Sequence, residues 1–439
     1  MRIDGSGDTA PGGRDSRQGW VVVAAATTGV ALGLSPIPFY TIGMFAPELS
    51  REFGWSFATL MGSIAVQSGV VMISSPLVGL ALDRFGARPV ALISMFLFGL
   101  CYMSLAFSNG SLTLYYAQWV IMAILGTGTL SATWTRVVTG WFDRHRGLAL
   151  GLASTGSGIA GFLVKPLTAW LIADYGWRIA FLVIGALPIV IGMPIIGWLL
   201  REYKSGAAAA IASGTLGEQS PPPDDEEGMS LLAALRHPRF WVLAAAFLLI
   251  AFSLTAPTPN LENILRASGF ELAAIAKVTA SFGLAVIAGR IIGGWLLDRL
   301  WAPACAAVIL ALPAIGCWLL TSAALDSPMA LASVIFLGLG VGFEFDLLAF
   351  LISRYFGRRH YGAIYGCFYT VIALGGGLGP VVYGYAFDST GSYVLILRLG
   401  VGCLIVGAAL LLTLGAYPKW ENTTSDGAKM VRKPHATKA

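Results

Sequence analysis

Arg290 stands deep in an apolar run, about eight residues and roughly 12 Å from the nearest polar boundary at 1.5 Å per residue. A guanidinium at that depth costs roughly 2.5 to 3.5 kcal/mol on insertion scales, so it faces a cavity or a partner. Its planar fork can hold a carboxylate through two parallel hydrogen bonds, each worth about 1.5 to 3 kcal/mol for a charged donor. The competing account is a structural arginine paired permanently with an acid. Two acids, Glu344 and Asp346, lie in another apolar run, with Glu344 about eleven residues from its basic end. Residues two apart on a helix are separated by about 200°, so these acids cannot face one cavity squarely; one lines a path and the other pairs between helices. Tyr40 follows the kinking Ser35-Pro-Ile-Pro38 and can offer its hydroxyl to a carboxylate, or serve as a core tyrosine. These groups bind anions and protons reversibly. No nucleophile elbow, phosphate loop or metal-ligand cluster is present at usable spacing, so neither enzyme, metal nor cofactor is expected.

Long apolar elements must position these groups. Hydrophobic residues make up 56% of the 439-residue chain and charged residues only 12%, about half the charged share of a soluble domain. Stretches of about 20 apolar residues or more recur along the whole length, enough to cross a hydrocarbon core of roughly 30 Å. Twelve are read: Trp20 to Phe45, Phe57 to Leu82, Pro89 to Ser108, Leu112 to Phe142, Leu148 to Ile172 and Trp177 to Leu200, then Phe240 to Leu265, Val278 to Leu297, Ala302 to Ala324, Pro328 to Tyr355, Ala363 to Phe387 and Tyr393 to Ala416. Such lengths suit helices and exceed the roughly ten-residue strands of a membrane barrel.

An even number of crossings puts both chain ends on one side. If that side is cytoplasmic, its segments hold most of the arginines and lysines, while the opposite loops hold only Arg51, Arg178, Arg266 and Lys277. This is the positive-inside pattern of a plasma membrane protein, with a bacterial inner membrane as the expected setting. The net charge of +5 follows from it and gives no reason to expect nucleic acid. The polar first nineteen residues show no removable signal peptide. The five cysteines lie within apolar runs and read as packing residues. The expected organisation is a cytoplasmic tail (1–19), a first six-helix bundle (20–200), a Pro-rich and acidic linker (201–239) in which Met229 to Leu235 can form a short helix, a second six-helix bundle (240–416) and a polar tail (417–439).

The halves share a phrase: Gly79-Leu-Ala-Leu-Asp83-Arg84 in the first and Gly294-Trp-Leu-Leu-Asp298-Arg299 in the second. Each sits in the turn between the second and third spans of its half, as after a gene duplication. The first copy continues with Gly86 and Arg88; the second has Leu300-Trp301 where the glycine would fall. This plan resembles the major facilitator superfamily from end to end. The resemblance implies an all-α membrane protein with twelve transmembrane helices in two pseudo-symmetric six-helix bundles. Asp83, Arg84, Arg88, Asp298 and Arg299 become gating candidates: a carboxylate in such a turn can meet a helix N-terminus, and an arginine can pair across the seam between halves. The plainer alternative is that they anchor helix ends.

Trp141 to Gly156 is similar to the monocarboxylate transporter signature, as is Gly19-Trp20 at the start of the first span, with departures at His145, Thr155 and Ala160. The oxalate/formate antiporter branch matches the same residues. In the monocarboxylate family an arginine in the setting of Ala288-Gly-Arg290-Ile-Ile-Gly293 is the substrate-anion ligand. The aspartate that precedes it by one helical turn in animal members is Val286 here, so a proton site is sought at Glu344 or Asp346. Lys165 is expected to reach the outer interface, Arg398 to snorkel, and Arg136 to line the inner vestibule, snorkel or pair at the seam. The leading expectation is a monomeric, proton-coupled importer of an organic monocarboxylate, since a dianion would call for a second cation beside Arg290. Alternatives are proton-antiport export of amphipathic compounds, oxalate/formate-type exchange, and a transporter-shaped solute sensor.

Overall fold

The computed structural model describes residues 16–142, 145–201, 228–297, 299–357 and 360–418. Most of the expected tails, most of the linker and Asp298 therefore lie outside the described residues, as does the side chain of Asp83. Among the described residues the chain is helical: α1 (Arg17–Ala31), α2 (Pro36–Phe53), α3 (Phe57–Phe85), α4 (Ala87–Ser104), α5 (Leu112–Gly126), α6 (Ser131–Trp141), α7 (Arg146–Ser154), α8 (Gly156–Leu187), α9 (Met193–Leu199), α10 (Leu231–Arg236), α11 (Pro238–Thr255), α12 (Pro257–Ala267), α13 (Leu272–Leu297), α14 (Ala302–Leu319), α15 (Ser327–Tyr355), α16 (Tyr361–Thr390) and α17 (Val394–Leu412).

Ten of the uninterrupted runs are long and apolar enough to cross a membrane. One of them, Leu148–Leu199, has 52 residues. At 1.5 Å per residue this is roughly 78 Å, more than two bilayer cores, and it turns back at Gly176, whose φ of 82° an L side chain rarely adopts. A further crossing, α5 with α6, is interrupted by a tight turn over Thr127–Thr129. Twelve crossings result, arranged as two six-helix bundles. The start of α1 and the end of α17 share one face of the membrane, here called the terminal face; the turns after Phe53, Phe107, Tyr175, Ala267, Leu319 and Thr390 form the far face.

The first crossing breaks between Ala31 and Pro36, where proline cannot supply the backbone donor a continuous helix needs. A backbone group freed in the membrane requires another partner. Leu34 N–H donates to Thr129 Oγ1 at 2.9 Å, and the Leu34 carbonyl accepts from Gln67 Nε2 at 3.3 Å. The break in the first crossing is thus satisfied from the fourth and the second crossings. Before α11, Ser230 caps α10, and Met229 N–H donates to the Phe356 carbonyl at 2.9 Å, fixing the end of the linker to the second half.

The halves meet through α3 with α16, α8 with α13, and α2 with α12. Small residues make the second contact possible: a Cβ on Gly283 would lie 2.1 Å from the Gly158 carbonyl oxygen. At the far face, Asp388 at the end of α16 accepts from the first amides of α3, Phe57 N–H at 3.0 Å and Ala58 N–H at 2.7 Å. A carboxylate at a helix N-terminus satisfies free donors and the helix dipole together. Toward the terminal face, Met72, Ile73, Leu77 and Leu80 of α3 and Ile291, Ile292 and Trp295 of α13 are exposed. Gly283→Ala is predicted to lower the melting temperature of the purified protein, with an overpacking cost of about 1 to 3 kcal/mol. Gly151→Ala, where a Cβ meets nothing within 4 Å, should leave melting unchanged.

Candidate functional site

Arg290 lies on α13, where that helix crosses α15 closely. A Cβ on Gly289 would lie 2.3 Å from the Leu339 carbonyl oxygen, and one on Gly342 would lie 2.1 Å from that of Val286. This tight crossing brings Asp346 within reach, with Oδ1 3.6 Å from Arg290 Nη1. The contact is loose for an ion pair, and Arg290 Nε is buried without a hydrogen-bond partner. The arginine side chain is 16% exposed and the aspartate 39%, so the pair stands at an accessible wall. Glu344, two residues earlier, is turned into the packed side of α15 and is 2% exposed, with Oε1 buried and unpartnered. The two acids occupy different environments, as helical geometry requires.

Tyr40 is buried on α2 just beyond the proline break, its ring edge-on to Phe282 of α13 with centroids 5.9 Å apart. Sequence depth alone placed Lys165 at the outer interface, and the structure corrects this. Lys165 is wholly buried, and its Nζ donates to Glu262 Oε1 of α12 at 2.5 Å. The ammonium also lies 5.8 Å from the Tyr40 ring centre and 5.6 Å from that of Phe282. Depth along a span does not report rotation, and an acid on the facing helix outweighs the distant interface once both are desolvated.

Glu262 is the residue sequence reasoning missed. It belongs to a polar segment, Pro257-Thr-Pro-Asn-Leu-Glu262-Asn263, whose side chains are buried at the seam. An acid within a membrane helix is a functional signal by default, and this one was hidden in a span read as apolar. Gly43 of α2 makes room for it: a Cβ there would stand 2.3 Å from Glu262 Oε2.

Arg84, Arg88 and Arg299 sit at the terminal face, while Asp298 lies outside the described residues. Arg84 is exposed, with its guanidinium 5.3 Å from the Phe85 ring centre, and Arg299 stacks over Trp295 at 4.3 Å. Arg88 donates to the Gly197 carbonyl of α9 in its own half. Arg136 is exposed near the end of α6, and Arg398 is exposed beside Trp318.

Twelve crossings in two bundles, with ionisable groups inside the crossings and one ion pair where the halves meet, define a membrane carrier fold. The Major Facilitator Superfamily profile matches residues 28–380, and the chain belongs to that family. It is a multi-pass membrane transporter and not an enzyme. Among similar proteins, human "Monocarboxylate transporter 11" is 28% identical over 91% of this chain and 83% of its own length. Bovine "Monocarboxylate transporter 13" is 27% identical over 97% of this chain and 96% of its own. An uncharacterised 38 kDa protein of Thermoproteus tenax is 30% identical over 86% of this chain and 91% of its own. The fold is shared with a solved bacterial homologue of the human lysosomal transporter Spinster, with a TM-score of 0.65 and 16% identity over 90% of this chain and 95% of that one.

Removing either Lys165 or Glu262 leaves a buried charge without compensation. Lys165→Met and Glu262→Ala are each predicted to cost about 3 to 5 kcal/mol of stability in detergent. The double variant Lys165→Met/Glu262→Leu should melt closer to wild type than either single change; additive losses would show that the two residues do not act as a pair.

Proposed function

We propose that the protein imports an organic monocarboxylate together with a proton by alternating access, as a monomer in a bacterial inner membrane with both ends cytoplasmic. One observation carries this reading: a mid-membrane arginine held loosely by an aspartate at an accessible wall, with part of its donor fork unused. The relatives named as monocarboxylate transporters support the substrate class.

Arg290 binds the cargo carboxylate in place of Asp346. Asp346 takes a proton as it is displaced, so the site keeps the same net charge whether empty or loaded. Glu344, buried beside it, is the second proton candidate, and Tyr40 donates its hydroxyl to the anion. Since Glu262 already neutralises Lys165, Arg290 is left as the cation for cargo at this level, which favours monoanions over dianions. The tight turns bearing Asp83, Arg84, Arg88, Asp298 and Arg299 act as the terminal-face gate, parting while the far face is closed. Co-movement of one anion and one proton is electroneutral, and a tenfold proton gradient contributes about 1.4 kcal/mol to accumulation.

In proteoliposomes, an inwardly directed proton gradient is expected to drive accumulation of a labelled monocarboxylate. Arg290→Ala should abolish both binding and uptake; normal uptake would make the arginine structural. Asp346→Asn should keep exchange of cargo across the membrane while losing proton-driven accumulation. An unchanged pH response in that variant, together with its loss in Glu344→Gln, would move the proton to Glu344.

A further inference from the structure

We propose that Lys165 is a second carboxylate-binding group, reached from the far face, and that Glu262 is a built-in competitor occupying it whenever that face is shut. The proposal rests on the carboxylate cargo proposed above and concerns a different cation, carried by the first half of the chain where it meets the second.

Lys165 belongs to α8 of the first half and Glu262 to α12 of the second, and their 2.5 Å bond crosses the seam. Alternating access requires the halves to separate on the far side, which carries the carboxylate away from the ammonium. The ammonium then stands open to the far face, where an entering anion can take the place of the carboxylate. In the closed state the Glu262 carboxylate stands in for the carboxylate of a cargo molecule, chemically the same group delivered on a tether.

The surroundings contain more polar capacity than one ion pair uses. Glu262 Oε2 is buried without a partner, and so are both Asn263 side-chain polar atoms and Asn260 Oδ1. Both Glu262 and Asn263 are more than nine-tenths buried. Orphaned groups of this kind are rare in a folded interior, and several at one place point to use in another state or with a ligand. The Tyr40 and Phe282 rings flank the ammonium and would form the apolar walls for the organic part of a small acid. No other ionised side chain is paired with Lys165 or Glu262 among the described residues: Glu52 is paired with Arg178, and Asp388 caps α3.

The consequence is directional. When the far face is open, an entering carboxylate can bind Lys165. Closure returns Glu262 to Lys165 and expels the cargo toward Arg290, so the tethered acid clears the entrance site as the seam shuts.

The test is equilibrium binding in detergent, with benzoate and pyruvate as probes, in a background carrying Arg290→Ala so that the site proposed above is silent. Adding Glu262→Gln removes the competitor and should raise carboxylate affinity by about tenfold or more, as expected when a tethered ligand at millimolar effective concentration is lost. Adding Lys165→Met to that variant should abolish the gain. Glu262→Ala serves the same purpose if the glutamine variant does not fold. If wild type binds a probe and Arg290→Ala does not, yet neither Glu262 variant restores binding, the second site is refuted while the Arg290 site stands. A gain that persists with Lys165→Met also refutes it. If Arg290→Ala binds as wild type does, it is the Arg290 site that fails.

Discussion

The ammonium of Lys165 and the carboxylate of Glu262 come from different halves of the chain and meet where neither water nor lipid headgroups can satisfy them. In a low-dielectric interior each charge is tolerable only with the other present. The pair therefore does little for net stability and much for specificity: it fixes which helices face each other at the seam. Gly43 leaves room for the carboxylate, and Gly158 and Gly283 bring α8 against α13. Asp388 ties the far end of α16 to the first turn of α3. With the far side held, the exposed surfaces of α3 and α13 lie toward the terminal face, and Arg290 with Asp346 stands between these levels.

The two cations of the central region are held in contrasting ways. Lys165 is enclosed, with its acid at 2.5 Å, whereas Arg290 is partly exposed and its acid stands at 3.6 Å. A tight, desolvated pair resists exchange, while a loose one at an accessible wall can trade its carboxylate for another. The same chemistry thus yields a closure contact at one depth and a proposed cargo site at the other.

Much of this was legible in the sequence because the membrane imposes strong rules. The repeated Gly-x-x-x-Asp-Arg phrase and the apolar spacing give twelve crossings in two halves, and Ser35-Pro-Ile-Pro38 marks the break in the first crossing. The depth of Arg290 singles it out without any structure. Rotation and partnership were not legible. Counting residues put Lys165 near an interface it does not reach, because which way a helix face points depends on its neighbours. Glu262 was averaged away within an apolar window, although Pro257-Thr-Pro-Asn-Leu-Glu-Asn263 is markedly polar for a membrane helix. The interruption at Thr127–Thr129 carries no proline, so no residue type marked it, although Thr129 Oγ1 accepts from Leu34 N–H of the neighbouring break.

The proposed exchange of Asp346 for a cargo carboxylate on Arg290, with a proton taken up at the same site, would leave the charge of the site unchanged between its empty and loaded states. The most direct measurement is the charge moved per molecule of cargo, from solid-supported membrane electrophysiology run alongside labelled uptake in the same proteoliposomes. The account predicts monocarboxylate uptake that depends on the proton gradient and carries no net current at any membrane potential. A sustained current proportional to uptake would contradict it.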